Sequence, residues 1–409
     1  LLHGTQTNEI DSSIQELLDS IRKKLENTFD NCKKIKENNH LNLNEFLEWY
    51  NLSFDILRTF GGRLDKYNMN HSMPLGIPIV VGHRNWELSW YIMRGISLSV
   101  KFAEENLTSK REKESFEEIQ FDITSEWTII DQSPCIFKRI RDLFGVSSSE
   151  YLDALGIEYF IGKLLCGSWN CYHELNSSGR SGSLFYSSWN GKYFLKTLPE
   201  EEELFLIKNL EEYYYYVTTH RNTLLTQFYG LFKIRKGNQG PWIHIVIMNN
   251  FLKSTKYHVQ EIYDLKGSTV NRHVELTVSQ QERPTIARKD NDFSRLLRIG
   301  KQAKSLILEV IERDIRWMES LNITDYSLLV GIHTFENPDE RKEDTTIQEL
   351  LQIDNPDSLP FSKVEGGILS SSKKHQYYIG LIDILGQYNL KKKGEFFVKS
   401  IIHNPQEIP

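Results

Sequence analysis

A glycine-rich loop is followed closely by a lysine in a strand-like run, and the pair suggests a site for phosphate groups. The loop spans residues 179–183, and the lysine is Lys196 in the run 192–197. Glycine lets backbone N–H groups approach phosphate oxygens. Each feature also has an ordinary explanation: the loop as a turn, and the lysine as a charge on an exposed sheet edge. The candidate phosphate-binding positions in the loop are Gly179, Ser181, Gly182 and Ser183.

The residues between the loop and the lysine predict a β-hairpin. Asn190-Gly191 separates two strand-like runs, 183–189 and 192–197, and both turn residues tolerate a positive φ. This hairpin would fold Lys196 back beneath the loop, the arrangement that protein kinases use around ATP phosphates. A helix with four acidic residues is predicted to start at Pro199. Its Glu202 is the candidate partner of Lys196, although acidic side chains are also typical of any helix N-terminus.

Two later aspartates have surroundings that favour a chemical role. Asp325 follows an amphipathic helix predicted over 300–321, at the passage into an apolar run. Asp383 lies within the predicted apolar strand 377–385. A buried carboxylate is costly unless it is paired, so a lysine or a Mg²⁺ ion is expected beside Asp383. A purely structural role is the alternative for an isolated aspartate in a strand.

Composition excludes several classes of protein. The chain has 409 residues, of which 39% are hydrophobic and 25% charged, enough for packed cores in two or three domains. A net charge of −6 argues against a dedicated duplex-DNA binder. No run approaches 18 apolar residues, which argues against a membrane span. Four cysteines are too few for a disulfide framework and favour a reducing compartment.

The texture of the sequence divides the chain into three parts. Residues 1–72 read as a polar helical appendage, and 73–246 as mixed helix and strand. The third part, 247–409, contains a polar, serine-rich stretch over 334–375 that we predict to be a mobile insertion.

Many segments, taken in order, resemble the phosphatidylinositol phosphate kinase family. The signature is Tyr263-Asp264-Leu265-Lys266-Gly267-Ser268-Thr269-Val270, and the resemblance covers about residue 78 to the end. It implies an α+β, two-lobed lipid kinase fold distantly related to protein kinases, with an antiparallel sheet in the N-lobe and a mixed C-lobe. Further matching segments are 81–100, 136–156, 178–186, 192–197, 222–231, 290–293, 325–333 and 382–385.

The resemblance also implies roles for the candidate residues. The loop 179–183 would cover the ATP phosphates, and Lys196 would bind them. Asp325 would orient or deprotonate the attacking inositol hydroxyl, and Asp383 would bind Mg²⁺. The other implied positions are Asp264 and Lys266 near the phosphates, and Met248 and Asn249 in a hinge beside the adenine.

In this family the segment after Asp383, here 386–409, selects the substrate. Glu395 falls where the 5-kinases carry glutamate and the 4-kinases carry alanine, which favours phosphatidylinositol 4-phosphate. Phe396-Phe397 departs from the usual 5-kinase residues, and the chain ends at Pro409, before the family's closing helix, as a truncated chain would. Lysines here would attract anionic lipid headgroups, although a solvated basic loop is the alternative. These lysines are Lys391, Lys392, Lys393 and Lys399.

The resemblance therefore implies an ATP- and Mg²⁺-dependent transferase that phosphorylates phosphatidylinositol 4-phosphate at the inositol 5-hydroxyl. A 4-kinase acting on the 5-phosphate lipid and a weakly catalytic phosphoinositide-binding scaffold are the alternatives. The expected location is cytoplasmic, peripheral on the cytosolic face of an anionic membrane. No nucleic-acid partner is expected, and a homodimer is left open.

Overall fold

The computed structural model describes residues 76–79, 83–107, 116–165, 172–175, 184–252, 257–275, 286–335 and 367–387. The chain separates into two compact units, Leu1–His71 and Ser72–Pro409. All the described residues belong to the second unit, so the predicted N-terminal appendage lies outside them.

Six α-helices occur in the described ranges. The predicted acidic helix and the predicted long amphipathic helix are both present, and the acidic helix begins directly after Pro199. Within these ranges, no helix has the length and apolarity that crossing a membrane requires. The helices are α1 (Trp86–Asn106), α2 (Pro134–Leu143), α3 (Ser148–Leu155), α4 (Ile157–Leu165), α5 (Glu200–Thr219) and α6 (Lys301–Ser320).

The first sheet is antiparallel throughout its described strands, in the order β1-β4-β5-β6-β8-β7-β3-β2. The predicted hairpin is confirmed as β5 and β6, and Gly191 in its turn has φ 74°. That left-handed conformation favours glycine. The strands are β1 (Ile77–Pro78), β2 (Ile119–Asp122), β3 (Trp127–Asp131), β4 (His173–Glu174), β5 (Phe185–Ser187), β6 (Tyr193–Leu198), β7 (Phe228–Lys236) and β8 (Ile243–Asn249).

The second sheet is mixed, in the order β10-β9-β11-β13-β12, with β9 and β10 parallel and the other pairs antiparallel. The apolar stripe of α6 contributes Ile307 to a core with Val330 and Ile332 of this sheet. The predicted α+β fold is thus confirmed. The strands are β9 (Glu261–Leu265), β10 (Ala287–Arg288), β11 (Ser327–Thr334), β12 (Ile368–Leu369) and β13 (His375–Ile382).

The insertion predicted over 334–375 is too long at both ends. Thr334 is the last residue of β11 and pairs with His375, and Ile368 pairs with Tyr377. Residues 370–374 are polar because they form the tight turn between β12 and β13, whereas Ile368 of the short edge strand β12 packs in the core of this sheet. The rest of the predicted insertion, 336–366, lies outside the described residues. The boundary predicted between the second and third parts of the chain, 246/247, falls inside β8.

Candidate active site

Lys196 and Asp383 meet between the two sheets. The Nζ atom of Lys196, on β6, lies 3.6 Å from Oδ1 of Asp383. The sequence prediction placed Asp383 within a strand; it lies one residue beyond β13, which ends at Ile382. Its φ is 59°, a left-handed conformation that costs a non-glycine residue about 1–3 kcal/mol and is concentrated at functional sites. The exit from the strand brings the carboxylate to the lysine.

Lys196 projects from the same sheet face as three large apolar side chains. It pairs with Phe185 on β5, and Phe194 pairs with Met248 on β8. Cross-strand partners and alternate residues share a face, so these four side chains lie together. The rings of Phe185 and Phe194 are 4.9 Å apart. The face offers apolar side chains beside a cation, which suits a nucleotide base and its phosphates. The loop 179–183 lies outside the described residues.

Asn249, the other predicted hinge residue, is engaged with a neighbouring segment. Its Oδ1 atom accepts a hydrogen bond from the Gln227 backbone N–H at 3.0 Å, and its own N–H donates to the Gln227 carbonyl at 3.1 Å. The Asn249 side chain therefore fixes the end of β8, whereas Met248, the first predicted hinge residue, lies on the face of Lys196.

The predicted Asp264, Lys266 and Asp325 are brought together by the pairing of β9 with β11. Leu265 lies opposite Leu328, so the residue after β9 meets the residues before β11. Lys266 Nζ donates to the backbone carbonyl of Asp325 at 2.8 Å. Asp325 lies between α6 and β11 and has a φ of 61°. Asp325 and Asp383 therefore both have a left-handed backbone conformation. Asp264 Oδ1 lies 3.3 Å from an Arg272 nitrogen.

Comparison with known proteins identifies the family. Residues 166–409 match the family model described as Phosphatidylinositol-4-phosphate 5-Kinase. The chain belongs to this family. It is 30% identical over 418 residues to a phosphatidylinositol 4-phosphate 5-kinase of Plasmodium falciparum, covering 91% of this chain and 24% of the relative. The family resemblance seen in the sequence is confirmed.

Two further relatives carry the same enzyme name. The Schizosaccharomyces pombe phosphatidylinositol 4-phosphate 5-kinase its3 is 27% identical over 400 residues, covering 82% of this chain and 52% of the relative. The human phosphatidylinositol 4-phosphate 5-kinase type-1 alpha is 32% identical over 301 residues, covering 66% of this chain and 50% of the relative. The chain thus spans about a quarter to a half of the length of these relatives.

In this member of the phosphatidylinositol-4-phosphate 5-kinase family, Asp290 organises the Lys266 turn, a role that the sequence prediction missed. Its Oδ1 accepts from the backbone N–H groups of Lys266 at 3.0 Å and Gly267 at 2.7 Å, and its Oδ2 accepts from Arg272 Nε at 2.7 Å. Burial alone would raise the pKa of Asp290, but the bonds from Arg272 and Gly267 hold it below the usual value. The segment 290–293 matched the family, yet nothing local shows that it folds onto residues 266–272.

The acidic residue that α5 buries against the sheet is Glu203. Its carboxylate lies 2.6 Å from His244 Nδ1 on β8 and accepts from Gln132 Nε2 at 3.1 Å. Burial raises the pKa of Glu203. Lys196 has Asp383 as its ion-pair partner, so the pairing of Glu202 with this lysine stays a prediction.

The residues near Lys196 fit a magnesium–nucleotide complex. Mg²⁺ is usually held by one or two carboxylates together with waters and substrate phosphates. Asp383 offers such a carboxylate, half exposed, beside a lysine that can take phosphate oxygens. In the part of the chain that the structure describes, no cluster of three or more His, Cys, Asp or Glu side chains forms a complete protein cage for a metal. A site completed by phosphate oxygens is consistent with both findings.

Proposed function

We propose that this chain transfers the γ-phosphoryl group of ATP to the inositol 5-hydroxyl of phosphatidylinositol 4-phosphate. The observation that carries the proposal is the meeting of Lys196 and Asp383, one from each sheet, beside an apolar face suited to a base. The bond from the hydroxyl oxygen to the γ-phosphorus forms, and the bridging bond to the β-phosphate breaks, releasing ADP.

Four residues of the candidate active site have a part in positioning the reactants. Lys196 binds phosphate oxygens and stabilises the charge that moves during transfer. Asp383 would hold Mg²⁺, which neutralises phosphate charge when bound. Asp325 accepts the proton of the attacking hydroxyl. Lys266, bonded to the Asp325 carbonyl, holds that loop in place.

Substrate choice and location are part of the same proposal. The preference for the 4-phosphate lipid is supported by Glu395 and by the names of the relatives. The basic run 391–399 would hold the enzyme on the cytosolic face of anionic membranes. Both features lie outside the described residues.

The test is phosphorylation by the full chain of vesicles that contain phosphatidylinositol 4-phosphate or phosphatidylinositol 5-phosphate, with product regiochemistry determined. We expect the 4,5-bisphosphate from the 4-phosphate lipid, with ATP and Mg²⁺ both required. Faster turnover of the 5-phosphate lipid would identify a 4-kinase instead. Vesicle binding without turnover would identify a phosphoinositide-binding scaffold.

A further inference from the structure

A buried segment between α5 and β7, Thr223–Gln227, connects the two sides of the active site. We name it the joint segment. All five of its residues are at most 4% exposed. At its C-terminal end, Gln227 forms the two hydrogen bonds with Asn249 described above, next to the hinge residue Met248. Since β8 also pairs with β6, this end of the joint segment is tied to the strand that carries Lys196.

The other side of the joint segment is bonded to the strand that leads to Asp383. Leu381, two residues before Asp383, donates its N–H to the Leu224 carbonyl at 2.7 Å. Its carbonyl accepts twice from Thr226: from the backbone N–H at 2.9 Å and from Oγ1 at 2.9 Å. The short strand β12 pairs with Gln376 and Tyr377 of β13, and Leu225 of the joint segment forms a parallel bridge with Leu381 farther along the same strand.

The segment that bears Asp383 is thus held on both sides of this residue, and Ile382, directly before it, also pairs with Ser327 of β11. Leu381 is bound to the joint segment, and the Gly386 carbonyl accepts from the Thr324 N–H at 2.8 Å, next to Asp325. Asp383 lies between these anchors in its left-handed conformation. The position of its carboxylate therefore depends on how firmly each anchor is fixed.

Asp314 on α6 fixes the start of the joint segment. Its carboxylate is fully buried and accepts three hydrogen bonds: from Tyr216 OH at 2.6 Å, Thr223 Oγ1 at 3.0 Å and the Leu224 N–H at 2.7 Å. These partners belong to α5 and to the joint segment itself.

We propose that Thr226 is a positioning residue for phosphoryl transfer. Its hydroxyl, on a segment held by Asp314, fixes the Leu381 carbonyl and thereby sets the place of Asp383 relative to Lys196. The joint segment thus links the Asn249 end of β8, on the nucleotide side, to the placement of the metal-binding carboxylate. This inference rests on the proposed function. It names Thr226 as the residue that keeps Lys196 and Asp383 correctly placed relative to each other.

The experiment compares Thr226→Val, which removes the hydroxyl and keeps the shape, with Thr226→Ser, which restores the hydroxyl. Thr218→Val is the control, since the Thr218 hydroxyl donates to the Tyr214 carbonyl at 2.7 Å within α5. Three kinds of measurement are made on the full chain: the melting temperature, steady-state kinetics (kcat and KM) with phosphatidylinositol 4-phosphate vesicles, and ATP affinity by calorimetry with Mg²⁺ or with EDTA.

We expect Thr226→Val to lower kcat by at least about 10-fold, because a lost hydrogen bond displaces a reacting group. It should bind ATP in EDTA like the wild type and lose most of the gain in affinity that Mg²⁺ provides. Thr226→Ser should recover both quantities, and Thr218→Val should change neither. A Thr226→Val protein that melts earlier but keeps its kcat and its Mg²⁺-dependent gain would overturn the proposal, as would a serine variant that recovers nothing.

Failure of this inference can be told apart from failure of the proposed function. If the wild type gains ATP affinity with Mg²⁺ but phosphorylates neither lipid, the proposed function fails. The Mg²⁺-dependent gain of the Thr226 variants then still decides the positioning role. If the wild type shows no such gain, the metal-binding role of Asp383 and the positioning proposal both fail.

Discussion

The Nζ atom of Lys196 lies 3.6 Å from Oδ1 of Asp383, and this ion pair joins the two sheets across the candidate active site. The two side chains are 30% and 50% exposed. An ion pair this accessible contributes less than about 1 kcal/mol. Phosphate oxygens can therefore replace the Asp383 carboxylate as the partner of Lys196 with little loss of free energy. Before nucleotide binds, the ion pair keeps both side chains in position.

Removing any one of the three central groups should nearly abolish activity. We expect Lys196→Met, Asp325→Asn and Asp383→Asn each to lower the rate of lipid phosphorylation by at least about 100-fold, as loss of one preorganised electrostatic group does. Melting temperatures should stay close to that of the wild type.

The matched control for the lysine is Lys192→Met. Lys192 lies in the same hairpin, directly before β6, where its side chain is 45% exposed and its Nζ atom lies 2.7 Å from Oε1 of Glu150. Its replacement should leave the rate unchanged. Lipid phosphorylation by Asp383→Asn at the wild-type rate would rule out the metal-binding assignment of this residue.

Replacing Asp290 should impair catalysis through Lys266. Asp290→Ala leaves two backbone N–H groups and the Nε–H of Arg272 without their acceptor, at a cost of about 1–3 kcal/mol in the free energy of unfolding. Because the turn then loosens, Lys266 no longer holds the Asp325 loop, and we expect kcat to fall about 10-fold. Steady-state kinetics and chemical denaturation measure the two effects.

Asp292 is a suitable control because it lies in the same short turn and accepts from the backbone of Lys289 and Val274, away from Lys266. Asp292→Ala should therefore destabilise the protein while leaving kcat near the wild-type value. An equal loss of kcat in both variants would mean that the whole turn matters, and not the contact of Asp290 with the Lys266 backbone.

The titration of Asp131 should be visible in the stability of the fold. Burial raises the pKa of Asp131 from 3.8 to about 6, against the opposing hydrogen bonds from Ser99 and the Ser133 N–H. The folded state therefore binds more protons than the unfolded state between these values. The contribution of Asp131 to the free energy of unfolding is complete below pH 4. It is lost as the pH rises through 6, and the total loss is about 3 kcal/mol.

Asp131→Asn tests this assignment because it removes the titration with little change in shape. The free energy of unfolding of the variant relative to the wild type should rise between pH 4 and pH 7 by up to about 3 kcal/mol. Denaturant titrations of both proteins at several pH values measure the difference, which cancels the titration of other groups. A difference independent of pH would show that Asp131 does not titrate in this range.

Local signals predicted the elements of the site better than their contacts. Asn190-Gly191 specifies its hairpin turn, and Pro199 with its acidic neighbours specifies the start of α5, because these preferences act within a few residues. The exit of Asp383 from its strand has no such signal, since the apolar run continues past it. The bond from Thr226 to Leu381 joins residues 155 positions apart, and register between distant strands cannot be read from one local pattern.

The corrected boundaries of the insertion make its removal a sharper test. Replacing residues 338–364 with a short Gly/Ser linker should leave the melting temperature and lipid phosphorylation nearly unchanged, because the paired residues of β11 and β12 are kept. Extending the replacement to Leu369 removes β12 and the packing of Ile368 in the core, so this second variant should be clearly destabilised. A first variant that does not fold would show that the segment 338–364 is structural.

Substrate choice is tested by Glu395→Ala, compared with a charge variant of the same segment. If Glu395 selects the headgroup, the alanine variant should shift the ratio of rates toward the 5-phosphate lipid and sediment with anionic vesicles like the wild type.

Replacing Lys392 and Lys393 with glutamate should instead weaken vesicle binding, by about 1 kcal/mol for each lysine removed, and leave the lipid ratio on short-chain soluble substrates unchanged. Because salt screens the attraction of the lysines over about 8–10 Å, the wild type should lose vesicle binding as salt rises, and the glutamate variant should respond less. Product regiochemistry and co-sedimentation separate the two effects. An unchanged lipid ratio in Glu395→Ala would remove the residue-level support for 5-kinase specificity, and full vesicle binding by the lysine variant would make the basic run a solvated loop.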